Sequence, residues 1–268
     1  VPELPGLPLA AHGAGVAARR GWWSTVSAGH LPAAVDGYER LLDSSRCQGA
    51  PTWLGWARDQ GIAGLIAQAT QATKLDPQWT ATAIAAFDVG LDLGAYGVLH
   101  DHGVTDARAQ AEAFVAAVRG VALTLPLCLD WELNAAELPD DELVLSARVW
   151  CELVEDALGR PVMIYTGPFF VDSMRLSPAG LADREVLFAT RDTWISDYGP
   201  RASKMQTPET WTPRAPRAAK RPPKVWQAGP AGAYLPGGVP VDMNWTRGLS
   251  ELLAPMARPA SPAAQRPS

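Results

Sequence analysis

Val121-Ala-Leu-Thr-Leu-Pro-Leu-Cys-Leu-Asp-Trp-Glu132 is an apolar run that stops on two acids separated by one tryptophan. Residues 121–129 have the composition of a buried strand. Alternate strand residues face the same side, so Asp130 and Glu132 project together, roughly 6–7 Å apart at their Cα atoms. Trp131 points the other way, into packing. On the N-terminal side, residues 105–119 place Ala107, Ala111, Phe114, Val115 and Val118 on one helical face. On the C-terminal side, residues 140–158 place Leu143, Ala147, Trp150, Cys151, Val154 and Leu158 at helical spacing, and Gly159 can end that helix. Further out, residues 61–67, 91–98, 161–165, 185–189, 224–227 and 239–242 read as strands. Strand–helix alternation over this length predicts a largely parallel sheet, and closure into an α/β barrel is the economical solution.

The bounds agree with one such barrel. The chain has 268 residues, enough for a single sizeable core. Hydrophobic residues make up 47% and charged residues 19%, a globular balance. A net charge of −5 without a long basic run argues against nucleic acid as a partner. No stretch of 18 apolar residues is present, so no membrane insertion is expected. Cys47, Cys128 and Cys151 are too few and too scattered for a disulfide framework or a metal site. The N-terminus lacks the basic, apolar and small-residue pattern of a signal peptide, which leaves secretion open. Residues 1–31, rich in Gly, Ala and Pro, are expected as an unassigned N-terminal extension, and 254–268, made of Pro, Ala, Ser and Arg, as a disordered tail. Residues 200–224 are Pro-rich and charged and read as a long surface loop.

The acid pair carries chemistry. In a β/α barrel the C-terminal strand ends form the active face. Two carboxylates there can divide their labour, one holding a proton and the other staying charged, as glycosidic bond cleavage requires. The plainer alternative is that Asp130 and Glu132 cap the next helix or face solvent. Val239-Pro-Val-Asp-Met-Asn244 is a second apolar stretch ending on an acid, Asp242, which can equally be a turn residue. The 11 Trp fit either buried indoles or a groove that stacks sugar rings.

The order of the short motifs says more than any one of them. Gly94-Ala-Tyr96, Leu129-Asp-Trp-Glu132, Met163-Ile-Tyr-Thr166, Thr193-Trp-Ile-Ser-Asp-Tyr198, Val225-Trp-Gln227 and Val241-Asp-Met-Asn244 follow one another as they do in the family 25 glycoside hydrolases. From about Pro32 to Leu253 the sequence resembles these lysozymes. The resemblance implies a single irregular, flattened TIM-like barrel over 32–253. It implies a muramidase that cleaves the β-1,4 bond between N-acetylmuramic acid and N-acetylglucosamine in peptidoglycan. It assigns Glu132 as general acid and Asp130 as the anion that stabilises positive charge on the sugar. It maps two further carboxylates to Asp242 in the last strand and Asp36 in the first, and it places Tyr96, Tyr165, Trp194, Tyr198 and Trp226 along the substrate groove. It implies no cofactor and no metal, glycan strands of bacterial peptidoglycan as partner, a monomer, and a location outside the cell or facing the wall.

Departures from the family pattern are specific. Gln68-Ala-Thr-Gln71 stands where Lys-Ala-Thr-Glu is usual, and Gly97 where a histidine is usual. His100 and His102 lie just beyond. These changes leave open a non-catalytic peptidoglycan-binding protein on the same barrel, or another polysaccharide hydrolase. A nucleotide-dependent enzyme would need a Gly-rich phosphate loop beside a strand, which is lacking. A metal hydrolase is disfavoured by four His with no H-E-x-x-H among them.

Overall fold

The computed structural model describes residues 28–100, 102–134, 136–198, 206–229 and 232–253. The extension expected over 1–31 and the tail over 254–268 lie almost wholly outside the described residues. The chain runs β1 (Glu39–Ser44), α1 (Leu54–Asp59), β2 (Gly64–Gln71), β3 (Lys74–Leu75), α2 (Trp79–Val89), β4 (Asp92–Val98), α3 (Val104–Val118), β5 (Leu127–Asp130) and α4 (Asp140–Leu158). It continues with β6 (Val162–Thr166), α5 (Pro168–Asp172), α6 (Pro178–Ala189), β7 (Thr193–Ser196), β8 (Val225–Gln227), β9 (Asp242–Thr246) and α7 (Leu249–Leu252). The sheet order is β1-β9-β8-β7-β6-β5-β4-β2-β3, and a further β1–β2 pairing closes it into a barrel with β3 as a hairpin appendage on β2. Every pairing around the barrel is parallel except those of β9, which runs antiparallel to both β8 and β1.

Strand alternation sorts the residues into two cores. Inward-facing Leu41, Ile66, Cys128, Met163, Trp194 and Val225 fill the lumen. Outward-facing neighbours such as Leu42, Leu65, Leu129 and Ile164 pack under the helices. The two helices flanking the acid pair form as expected. In α3 the buried face is Ala107, Ala111, Phe114, Val115 and Val118. Helix α4 starts on Asp140, Asp141 and Glu142, charges that suit a helix N-terminus. It ends at Gly159, whose φ of 63° is the left-handed cap that glycine adopts without strain.

Four expectations about elements are corrected. Strand β5 begins only at Leu127. Pro126 has no N–H for a ladder, and the segment before it is tied crosswise: Arg160 donates to the Leu123 and Leu125 carbonyls, both at 2.8 Å. Leu125 thereby plugs the N-terminal end of the barrel, fully buried. Glycine is required opposite it, since a Cβ at Gly64 would lie 2.7 Å from Leu125 Cδ1 and one at Gly94 3.0 Å from Leu125 Cβ. Residues 185–189 are the end of helix α6 and not a strand. Pro178 sits in its first turn, and the Ser177 hydroxyl accepts from the Gly180 N–H at 3.2 Å, a helix-start signature that outweighs a short apolar run. Asp242 begins its strand instead of ending it. Finally, residues 206–224 form no helix or strand, yet they are not a free surface loop. Gln206, Pro216 and Ala218 are buried, and the Arg214 N–H donates to Asp197 Oδ2 at 2.8 Å. This segment covers β8 where other strands have a helix.

Candidate active site

Each acid reaches the C-terminal mouth by strand geometry. In β5, Cys128 faces the lumen, so Asp130 does too; it is buried. Trp131 turns outward, fully buried, with its ring 5.3 Å from that of Phe170. The Trp131 backbone N–H donates to the Tyr165 carbonyl at 2.9 Å, which prolongs the ladder one residue beyond β5 and returns Glu132 to the mouth, half-buried. The expected division between inward acids and outward tryptophan is therefore what the structure has. Asp242 arrives from the opposite direction. Because β9 is inverted, its first residue pairs with Asp43, at the C-terminal end of β1, and lies at the same rim.

The first-strand acid is Asp43 and not Asp36. Asp36 sits in an exposed turn ahead of β1, at the barrel's N-terminal end. The physical reason is one of length: β1 starts at Glu39, so an inward residue at the mouth must come some five residues later. The signal was present in Leu41-Leu42-Asp43, an apolar run that ends on an acid as the β5 segment does.

Asp43 is the hub of a buried polar network. Its Oδ2 accepts from Asn244 Nδ2 at 2.7 Å and from Gln227 Nε2 at 3.0 Å. The Trp194 indole N–H donates to Asn244 Oδ1 at 2.7 Å. Tyr165 and Tyr198 both donate their hydroxyls to Gln227 Oε1, at 2.8 and 2.6 Å. Burial pushes the Tyr165 phenol well up, and the neighbouring Tyr198, Glu132, Asp130 and Asp43 push it the same way. Burial likewise raises Tyr198, followed by the charge of Asp242. Tyr96 is raised first by burial and then by the charges of Asp43, Asp130, Asp242 and Asp76. Its hydroxyl donates to Gln68 Oε1 at 3.4 Å.

Of the five aromatic residues expected along a groove, Tyr96, Tyr165, Trp194 and Tyr198 are at this site, with Trp194 deep in the lumen as a support. Trp226 is not. It faces outward on β8, is buried, and its indole N–H donates to the Asp197 carbonyl at 2.8 Å. Its neighbour Gln227 is the inward residue. Neither Gln227 nor Asn244 was assigned a role from the sequence, although both close motifs quoted there.

The three departures fall in two places. Gln68 faces the lumen beside Tyr96, and Gln71 lies at the rim, where its Nε2 is 3.1 Å from His100 Nε2. His100 is lowered by burial and then by His102. Gly97 faces outward, where a Cβ would lie 2.9 Å from Phe114 and 3.0 Å from Trp150. Gly97 is therefore a packing residue between barrel and helices. Among the described residues, no group of three or more His, Cys, Asp or Glu could hold a metal ion. The three cysteines are free, with Cys47 exposed and Cys128 and Cys151 buried.

Four carboxylates and three tyrosines thus stand at the C-terminal mouth of a closed β/α barrel. The sequence matches glycosyl hydrolases family 25 over residues 42–227, and the chain belongs to that family. Solved structures share the fold. The catalytic domain of the endolysin ply40 from bacteriophage P40 of Listeria monocytogenes is 21% identical, covering 82% of this chain and 98% of its own, with a TM-score of 0.61. The bacterial lysozyme from Streptomyces coelicolor is 20% identical, covering 81% and 96%, with a TM-score of 0.62. The spore cortex lytic enzyme SleM of Clostridium perfringens is 20% identical, covering 83% and 71%, with a TM-score of 0.66. No curated protein sequence matches the chain.

Proposed function

We propose that this chain is a muramidase that hydrolyses the β-1,4 bond between N-acetylmuramic acid and N-acetylglucosamine in bacterial peptidoglycan. Glu132 serves as general acid and protonates the departing glycosidic oxygen. Asp130 stays charged and stabilises the positive charge that develops on the sugar ring. Asp242 and Asp43 complete the anionic rim, and Tyr96, Tyr165 and Tyr198 line the groove. The observation that carries this reading is the convergence of acids from β1, β5 and β9 at one mouth, which the inversion of β9 makes possible. The names of the structural neighbours, a lysozyme and lytic enzymes among them, support peptidoglycan as substrate. The protein would act as a monomer outside the cell or at the wall. No described helix is long and apolar enough to cross a membrane.

The test is digestion of purified peptidoglycan with mass spectrometry of the new reducing ends. Muramic acid at those ends supports the assignment. Glucosamine ends, or glycan binding without any new ends, would replace it with a glucosaminidase or a binding protein.

A further inference from the structure

We infer that Gln227 and Asn244 are positioning residues that orient the Asp43 carboxyl at the barrel mouth and bias it toward its anion. The inference rests on the muramidase reading for its functional consequence and on hydrogen-bond bookkeeping for its structural part.

Asn244 shows the logic most clearly. An indole N–H can donate and cannot accept. Trp194 donates to Asn244 Oδ1, which fixes the amide with its NH2 turned toward Asp43. Gln227 is set in the same sense, because two phenolic hydroxyls donate to its carbonyl and leave its NH2 for the same Asp43 oxygen. The opposite setting would press the Gln227 carbonyl against a carboxylate oxygen. Asp43 Oδ2 thus accepts two directed N–H bonds, and hydrogen bonds donated to a carboxyl favour its charged form. No member of the relay reverses near neutral pH. Indole and amides do not titrate there, and burial holds both phenols protonated far above it.

The need for such a relay follows from the neighbours. Facing Asp43 are Asp242 from β9, Tyr96 from β4, Cys128 and Asp130 from β5, Tyr165 from β6 and Tyr198 beyond β7, with Glu132 against the two last tyrosines. Several carboxylates crowded at one mouth compete for protons, and any one of them can become the protonated member. Directed donors at Asp43 bias that competition toward its anion. Nothing in the lumen of β2 or β8 at this level titrates, since Gln68 and Gln227 stand there.

The experiment follows the Asp43 carboxyl carbon by NMR in the aspartate-labelled full chain, without substrate, in parallel with the pH profile of kcat/KM. Removing a donor favours the acid over the anion. In Asn244→Leu and Gln227→Leu the Asp43 titration midpoint should rise by about one pH unit or more. The acid limb of kcat/KM should move up in the same direction, and kcat should fall roughly 10-fold with KM little changed. If either substitution prevents folding, Trp194→Phe keeps an aromatic ring while removing the indole N–H that fixes Asn244, and a smaller rise is expected. A midpoint that stays put in all three variants, with only a lowered Tm, overturns the proposal. The two readings fail separately. If wild type releases no reducing ends but the midpoint rises, the positioning stands and the muramidase reading falls. If wild type cleaves and the midpoint does not move, the reverse holds.

Discussion

The two ends of this barrel are made by the same strands and obey opposite rules. At the N-terminal end the lumen is closed by Leu125, seated on Gly64 and Gly94, where any side chain would collide. The C-terminal end is polar: Asp130 is buried there, and Asp43, Gln227 and Asn244 are buried and bonded among themselves or to tyrosines and tryptophan. One end is apolar contact that excludes water; the other concentrates charge that must be neutralised by directed donors. The difference teaches where substitutions should act on stability and where on turnover.

The largest separation is expected at Glu132. Glu132→Gln keeps shape and hydrogen-bonding capacity and loses the transferable proton. General acid catalysis contributes about 10²–10⁴-fold, so the release of reducing ends should fall by that range. The residue is half-buried at the rim, so Tm should hold within a degree or two of wild type. Equal rates in the two proteins would remove the catalytic assignment.

Leu125 should give the mirror image. Leu125→Ala opens a cavity at the plug and should cost about 2–5 kcal/mol. Measured well below the melting transition, kcat/KM should stay within about 2-fold of wild type. If activity fell with stability intact, the two ends would be coupled and the contrast between them would fail.

Gly97 sharpens the comparison, because it lies on the same strand as Tyr96 and faces the other way. Gly97→Ala puts a methyl group within 3.0 Å of Phe114, Thr70 and Trp150. Overpacking of this kind typically costs about 1–3 kcal/mol. Unfolding by denaturant should show that loss with kcat unchanged, whereas a groove residue would change KM or kcat first.

What the sequence disclosed follows from the same division. The β5 segment was legible because the apolar run, the acid pair and the flanking helices all spoke for one arrangement, although the strand itself is only Leu127–Asp130. Strand β9 was harder: its acid comes first, and only the antiparallel pairing of Asp242 with Asp43 explains how it joins the others. No local pattern announces the direction of a strand. Gln227 and Asn244 were hidden for a further reason. An inward amide is a poor signal by itself, and its meaning depends on Trp194, Tyr165 and Tyr198, which lie 29 to 62 residues away. Residues 185–189 misled because their apolar run, Val186 to Ala189, is too short to have a period of its own, and the deciding signal was the Ser177-Pro178 start eight residues before Glu185.

The smallest effect is expected at Asp36, and it is informative because it is small. Both Asp36 and Asp43 precede β2 and follow short apolar stretches, so resemblance alone could choose either. The structure separates them by the length of β1: Asp36 is exposed in a turn at the plugged end, and Asp43 is buried at the mouth. A surface substitution away from caps and pairs usually stays within about 0.5 kcal/mol. Asp36→Asn should therefore leave both Tm and peptidoglycan cleavage as they are. Asp43→Asn keeps the volume, and its amide oxygen can still accept from Gln227 and Asn244, but it removes the charge, so activity should fall by roughly 10²-fold. Side-by-side rates for the two variants decide the matter. Loss at Asp36 with Asp43 silent would mean that β1 is slipped by a full seven residues, and with it the register that brings Asp242 to the rim.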